Sequence, residues 1–281
     1  MASVGAAHGE IGLEHGGRSS TRVSLAGLGY TMLLCVVAFL IIVPIALLII
    51  HSFEVSAFSP SPTWGIDNWR TALAEPRILD ALWTTVSLAI TRQAIAVVLG
   101  VVLAWLIART DLPGRDWLEL GFWITVFLPT LTVVLGWIMV FDNFKGLANK
   151  LLELLPFVEK GPFDIFSWWG IVWVHLVTAT LPIKVMLLTP AFRNLDATLE
   201  EASRTSGAGP LGTLARVGLP LMAPTILVVT ILGIIRSMEA FEIELILGYP
   251  AKIDVYSTLI YRQVMQSPPE YGRATALSMV I

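Results

Sequence analysis

The sequence has few charged residues. They make up 14% of the 281 residues, whereas hydrophobic residues make up 56%. Soluble globular domains carry roughly 25% charged residues. So few charges cannot cover the surface of a water-soluble protein of this length, which excludes an ordinary soluble domain. The formal net charge of −3 also argues against nucleic acid as a partner.

Cysteine and nucleotide-binding motifs are scarce as well. Cys35 is the only cysteine, which excludes a disulfide bond within the chain and a metal site built from several thiolates. His175 has no second histidine or carboxylate at ligand spacing, so we expect no metal site there. The sequence also lacks a Gly-x-x-x-x-Gly-Lys-Ser/Thr phosphate-binding loop. We therefore expect no catalytic residues, no cofactor and no ATPase site in this chain.

Long apolar segments are what the sequence has instead. A helix needs about 20 apolar residues to cross the bilayer core. Segments of about that length are residues 28–50, 82–107, 118–141, 168–188 and 221–238. Pro129 predicts a kink in the third segment, and residues 274–281 are apolar but too short to span. The sequence predicts an all-α polytopic membrane helix bundle, with five complete transmembrane helices and the start of a sixth.

The two ends of the chain differ in composition. Residues 1–27 are rich in glycine, alanine and serine, and we expect a disordered cytoplasmic tail there. Residues 28–281 then form one transmembrane domain, which is truncated in its sixth helix. We expect the natural chain to continue past Ile281 and to complete that helix. Basic residues occur in both sets of loops, so the positive-inside rule does not decide the orientation.

One polar segment, residues 193–220, carries the most informative motif. Asp196 or Thr198 stands at the N-cap position of a short helix. Gly207 predicts a left-handed or sharp turn after this helix. A second short helix follows, and Pro220 marks the entry to the fifth membrane segment.

The first of these short helices is amphipathic. Leu195, Leu199 and Ala202 recur at helical spacing, so we expect them to share one apolar face. Glu200 and Arg204 lie on the other side, and we expect them to face water.

The segment resembles the cytoplasmic signature loop of binding-protein-dependent ABC importer permeases. That loop reads Glu-Ala-Ala, three residues, Gly, nine residues, Ile-x-Leu-Pro. The residues that match it at the same spacing are Glu201, Ala202, Gly207, Leu219 and Pro220. Ser203 and Val217 are mild departures from the pattern. The alternative is an amphipathic loop that lies on the membrane surface.

Other segments extend the resemblance. Residues 110–115 resemble the first cytoplasmic turn of the same family, and residues 65–69 resemble its first outer loop. Residues 241–261 and 268–272 resemble the ferric-iron branch. Members of that branch are often one long chain with two six-helix halves, so we expect this chain to be the N-terminal half of such a protein.

The resemblance implies a function and a set of partners. The protein would be a multi-pass permease in the bacterial plasma membrane with a cytoplasmic N-terminus. Its signature helix would dock in a groove of a separate ABC ATPase subunit, which binds the ATP. Further partners would be a second permease half or subunit and a substrate-binding protein. The residues expected to couple the permease to the ATPase are Leu199, Glu201, Ala202, Ser203, Gly207, Leu219 and Pro220.

Ferric iron is the expected cargo, with polyamine, thiamine and phosphonate as alternatives within the same mechanism. Charged candidates for the translocation path are Arg92, Arg236, Glu239 and Glu242. For Arg92 the alternative is structural pairing across the bundle, and for the others a charge cluster at the lipid headgroups. Glu244 is placed in the connection after the fifth segment.

An ion-coupled secondary transporter is the alternative from a different class. Such carriers place ionisable groups near the bilayer midplane, and Arg92 is the only one that the sequence places so deep. A membrane enzyme would need paired catalytic groups at a common depth, and the sequence shows none.

Overall fold

The computed structural model describes residues 25–55 and 63–280. The expected disordered tail lies outside these residues, apart from its last three positions, which belong to the first helix. The chain divides into two compact units, Met1–Ile50 and His51–Ile281. The described residues are helical, apart from loops and one isolated β-bridge between Glu54 and Trp64.

Helix α1, Leu25–Ser52, makes up the described part of the first unit. Its 28 residues would extend about 42 Å, which exceeds the thickness of the bilayer core. It contains no Asp, Glu, Lys or Arg. A helix that is apolar all round is typical of a membrane span.

The second unit contains the remaining helices. In chain order they are α2 (Asp67–Leu73), α3 (Arg77–Arg109), α4 (Arg115–Phe127), α5 (Thr130–Phe141), α6 (Leu147–Leu152), α7 (Trp168–His175), α8 (Leu181–Arg193), α9 (Ala197–Thr205), α10 (Pro210–Thr213), α11 (Leu219–Met238), α12 (Tyr249–Ala251), α13 (Tyr256–Met265) and α14 (Tyr271–Ser278). Widened π-helical turns occupy Leu176–Thr180, Leu214–Gly218 and Glu244–Gly248.

Four helical segments within the described residues are long and apolar enough to cross a membrane. They are Gly27–Ser52, Arg77–Arg109, Trp168–Arg193 and Pro210–Met238. The last two each run through a π-helical turn that is followed by a proline, Pro182 or Pro220. Proline lacks an N–H group and its ring clashes with the carbonyl four residues earlier, so a widened turn lets the helix continue.

The third predicted span is bent far more strongly than a kinked helix. Helices α4 and α5 meet at 110°. Leu128 and Pro129 are both extended, with ψ values of 138° and 130°, because the residue before a proline is pushed out of the helical region. Helices of 13 and 12 residues reach only about 20 Å and 18 Å. The described chain therefore has four spans, or five if the bent pair counts as one.

Helix α3 lies at the centre of the second unit. It packs against α8 and α11, and the three helices bury Ala104, Leu188 and Met222 between them. Helix α14 packs against α2 and α13 through the buried Ala276 and Leu277. The expected sixth spanning helix and the continuation past Ile281 stay predictions.

Candidate functional site

Helix α9 contains the signature residues and begins at a single capping side chain. Asp196 Oδ1 accepts a hydrogen bond from the Thr198 N–H at 2.9 Å. The same bond lowers the pKa of the Asp196 carboxyl, because it stabilises the charged form. Of the two expected caps, Asp196 is therefore the one that the structure uses.

The C-terminal end of α9 requires glycine. Gly207 has a φ of +88°, and its N–H bonds to the Arg204 carbonyl at 2.9 Å. The Ala208 N–H reaches the Ser203 carbonyl at 3.1 Å, which completes a Schellman motif. A Cβ at position 207 would meet open space, so the backbone angle, and not a lack of room, is what favours glycine here. The predicted left-handed turn is confirmed.

One ion pair anchors α9 to the bundle, and a second joins the end of α8, just before α9, to α4. Arg109, at the end of α3, places Nε 3.3 Å from Glu200 Oε1 and donates through Nη2 to the Leu195 carbonyl. Arg193 holds Glu119 of α4 with two hydrogen bonds, of 2.7 Å and 3.2 Å. The expectation that Glu200 faces water was wrong, because the end of α3 gives its carboxylate a cationic partner.

Other residues of α9 are exposed. Leu199 is 46% exposed, and the nearby Leu211 of α10 is 72% exposed. Glu201 and Ala202 are exposed as well. We call these four residues the docking face. Exposed apolar side chains that lie close together are typical of a binding surface.

The remaining signature residues connect the docking face to the bundle. The Ser203 hydroxyl lies 3.1 Å from the Thr213 hydroxyl, which joins α9 to α10. Leu219 and Pro220 begin α11, and Leu219 packs against the core around α3. Leu195 also packs against that core. It therefore does not share the docking face, contrary to expectation, because it lies before α9 begins.

A groove of about 300 Å³ separates α9 from the turn between α3 and α4. Polar and charged side chains line it, among them Asp111, Arg115, Glu201 and Arg204. The two segments that resemble the cytoplasmic side of the permease family, residues 110–115 and α9, are thus neighbours in space.

A second site lies inside the bundle. Arg92 of α3 is 1% exposed, and its Nη1 donates to Glu244 Oε1 at 2.9 Å. His175 Nε2 lies 2.8 Å from the same oxygen, and Arg92 Nη2 donates to the Ser237 carbonyl. Glu244 lies in the connection after the fifth segment, as expected, but it is 1% exposed within the unit. His175 does have a carboxylate partner, which the sequence spacing did not show.

Lys184 of α8 is a further buried cation that the sequence analysis did not single out. It is 2% exposed, and its Nζ donates to the Gln93 side-chain oxygen. Gln93 Nε2 in turn donates to Ser237 Oγ at 2.7 Å and to the Gly233 carbonyl at 2.8 Å. Hydrogen bonds therefore connect α3, α8 and α11. We call Arg92, His175, Lys184 and Glu244 the buried charge cluster.

This cluster removes the argument that an ion-coupled carrier would need more ionisable groups inside the bundle than Arg92 alone. Arg92 is not alone within the bundle, because Lys184, His175 and Glu244 are also buried there. Glu244 is 69 positions from His175 and 152 from Arg92, so no local spacing indicated that they meet.

The other path candidates lie apart from this cluster. Arg236 and Glu239 form an exposed pair at 3.4 Å at the end of α11, and Glu242 is exposed. Arg92 and Arg236 both line a cavity of about 470 Å³ between α3, α8 and α11, whereas Glu239 and Glu242 do not. Among the described residues, no group of three or more His, Cys, Asp and Glu side chains is placed to hold a metal ion.

Comparison with known proteins gives the family. Residues 96–281 match the family described as "Binding-protein-dependent transport system inner membrane component". The chain is 28% identical over 214 residues to the "Probable sulfate transport system permease protein cysT" of Marchantia polymorpha, covering 75% of this chain and 71% of that protein. It is 26% identical over 216 residues to the "Spermidine/putrescine transport system permease protein PotB" of Escherichia coli K12, covering 77% and 78%.

A solved structure has the same fold. It is a bacterial alginate ABC transporter in complex with an alginate pentasaccharide-bound periplasmic protein. One of its chains aligns with a TM-score of 0.75 at 20% identity, covering 92% of this chain and 90% of that chain. The family match includes the signature loop, the buried charge cluster apart from Arg92, and most of the bundle. This chain belongs to the inner membrane components of binding-protein-dependent transport systems, the membrane-embedded permeases of ABC importers.

Proposed function

We propose that this permease couples to a separate ABC ATPase subunit through the docking face of α9. The observation that supports this is the two-sided placement of the loop. Leu199, Glu201 and Ala202 are exposed to the surroundings, whereas Glu200 is held by Arg109. A helix that is exposed on one side and anchored on the other can transmit a partner's movement to the bundle.

The anchors indicate which parts of the bundle would move. Arg109 is the last residue of α3, and Glu119 lies in the first half of α4. A displacement of α9 would therefore act on α3 through Arg109, and it would reach α4 through α8, whose last residue Arg193 holds Glu119. Helix α3 in turn packs along α8 and α11, so the same displacement reaches the helices around the buried charge cluster.

The partners follow from this mechanism. The ATPase subunit binds and hydrolyses ATP, and a second permease copy or subunit completes the translocation path. A substrate-binding protein delivers cargo on the opposite side. The alginate transporter supports this kind of partnership, since its structure is a complex with an alginate pentasaccharide-bound periplasmic protein. The protein would lie in the bacterial plasma membrane with its N-terminus and α9 on the cytoplasmic side.

Ferric iron, the cargo expected from the sequence, is not part of this proposal. The relatives described above are named for sulfate and for spermidine and putrescine, and the structural neighbour for alginate. The iron expectation rested on residues 241–261 and 268–272 alone, and none of these names supports it. Polyamine uptake, one of the alternatives from the sequence, has a named relative.

Substitutions on the docking face test the coupling. Burial of a whole leucine contributes about 1.5–3 kcal/mol, and Leu199 is 46% exposed. Leu199→Ala should therefore weaken ATPase binding by roughly 1 kcal/mol, about fivefold in Kd. Glu201→Lys reverses a charge on the same face and should abolish co-purification of the ATPase while membrane insertion survives.

The control is Glu159→Lys, because Glu159 is also exposed and lies in the segment before α7, on the opposite side of the proposed topology. It should leave co-purification of the ATPase unchanged. Normal co-purification and normal uptake with both Leu199→Ala and Glu201→Lys would contradict the coupling role.

A further inference from the structure

The cavity between α3, α8 and α11 has the size of a small-molecule site. Its volume is about 470 Å³, and ligand sites in proteins commonly measure about 300–1,000 Å³. Apolar side chains such as Ile183, Leu187 and Leu232 form much of its wall. Charges in such surroundings interact more strongly than in water, because the local dielectric constant is low.

The charged side chains that line this cavity are all cationic. Three cationic side chains line it, those of Arg92, Lys184 and Arg236, and His175 lines it as well. None of the lining residues is Asp or Glu. Glu244 neutralises Arg92 and Glu239 pairs with Arg236, but neither carboxylate is part of the lining. Lys184 is therefore the lining cation that makes the cavity electropositive.

Lys184 is the cation for which the unit supplies no counter-charge. Its Nζ donates to the Gln93 side-chain oxygen, and within the described residues it forms no ion pair with a carboxylate. An ammonium group has three donors, so two remain for a ligand. A buried charge without a partner is costly, and an anion in the cavity would offset this cost.

The helices around Lys184 pack closely against it. A Cβ at Gly100 would lie 2.9 Å from Lys184 Cβ, and one at Gly233 would lie 2.5 Å from Gln93 Oε1. A side chain at position 100 would press on Lys184 itself, and one at position 233 would displace the amide group of Gln93. Gln93 is a positioning residue, because its amide group is held by Ser237 and the Gly233 carbonyl.

We infer that this cavity is an anion-binding site of the translocation path, and that Lys184 is its main contact. The ligand would be a small anion with oxygen acceptors, such as an oxyanion or a carboxylate, and polyamines would be repelled. This inference rests on the proposed permease function, since it places cargo inside the bundle.

Equilibrium binding of radiolabelled sulfate to the permease–ATPase complex in lipid nanodiscs tests the inference. Sulfate should bind saturably, phosphate or glutamate should compete with it, and spermidine should not. Lys184→Met keeps the length of the side chain but removes the charge, and should weaken sulfate binding at least tenfold. Lys184→Arg keeps the charge and should stay within a few fold of the wild type. Lys145→Met removes an exposed lysine elsewhere and should change nothing.

Two readouts separate this inference from the coupling proposal. Thermal unfolding and co-purification of the ATPase should be retained in Lys184→Met, which shows that the variant is folded and assembled. Equal sulfate binding by the wild type and Lys184→Met would overturn the anion site. Binding of spermidine without binding of sulfate, phosphate or glutamate would overturn it too. If sulfate binding depends on Lys184 but Glu201→Lys has no effect on the ATPase, the anion site stands and the coupling proposal fails.

Discussion

The ion pair between Arg92 and Glu244 should stabilise the bundle only while both partners are present. The two side chains are 1% and 2% exposed, and they join α3 to the π-helical turn after α11. Arg92→Met would leave Glu244 buried with His175 as its remaining side-chain partner. Glu244→Gln would leave the Arg92 guanidinium without a counter-charge.

The expected magnitude follows from the burial of the pair. Removing one partner of a buried ion pair costs about 3–5 kcal/mol, because the other charge stays buried without compensation. Replacing both partners by neutral groups is often close to neutral. The double variant Arg92→Met/Glu244→Gln should therefore be more stable than either single variant. This requires a coupling free energy larger than the loss in one single variant, which is about 3–5 kcal/mol.

Thermal unfolding of the purified protein in detergent measures this cycle. A loss of 3–5 kcal/mol corresponds to a fall in Tm on the order of 10 °C for each single variant, and the double variant should recover most of it. The control is Arg236→Met, which removes an exposed partner of Glu239 and should shift the Tm by only a degree or two. A double variant that falls as far as the sum of both single variants would refute the reasoning.

Two further predictions concern the loop around α9. Gly207→Val should destabilise the loop by about 1–2 kcal/mol, because φ is +88°. Gly207→Asn should be tolerated, since asparagine adopts this angle more readily. Limited proteolysis should therefore cleave the loop faster in the valine variant than in the asparagine variant. Ser203→Cys in a Cys35→Ser background should react with a membrane-impermeant thiol reagent only after the cells are opened, and labelling of intact cells would reverse the proposed topology.

The sequence predicts the parts of the structure that depend on local signals. The cap at Asp196 and the turn at Gly207 both follow from residues within a few positions of one another. The apolar length of the spans is likewise local information. The family resemblance also rests on such short-range spacing, and the comparisons confirm it.

The errors occur where distant residues meet. Glu244 pairs with Arg92 across 152 positions, and no periodicity in either segment shows this. Glu200 lies against the bundle because it forms an ion pair with Arg109, which belongs to a different helix. A proline at position 129 predicted a bend, but the angle of 110° depends on two successive extended residues.

Transport driven by ATP through a separate subunit is the central claim. Uptake of cargo into proteoliposomes that contain the complete transporter, supplied with cargo-loaded binding protein, tests it most directly. We predict uptake with enclosed ATP and none with a non-hydrolysable analogue, and the Glu201→Lys variant should fail although it is folded and inserted. Uptake that proceeds without ATP or without the ATPase subunit, driven by a proton or sodium gradient, would contradict the account.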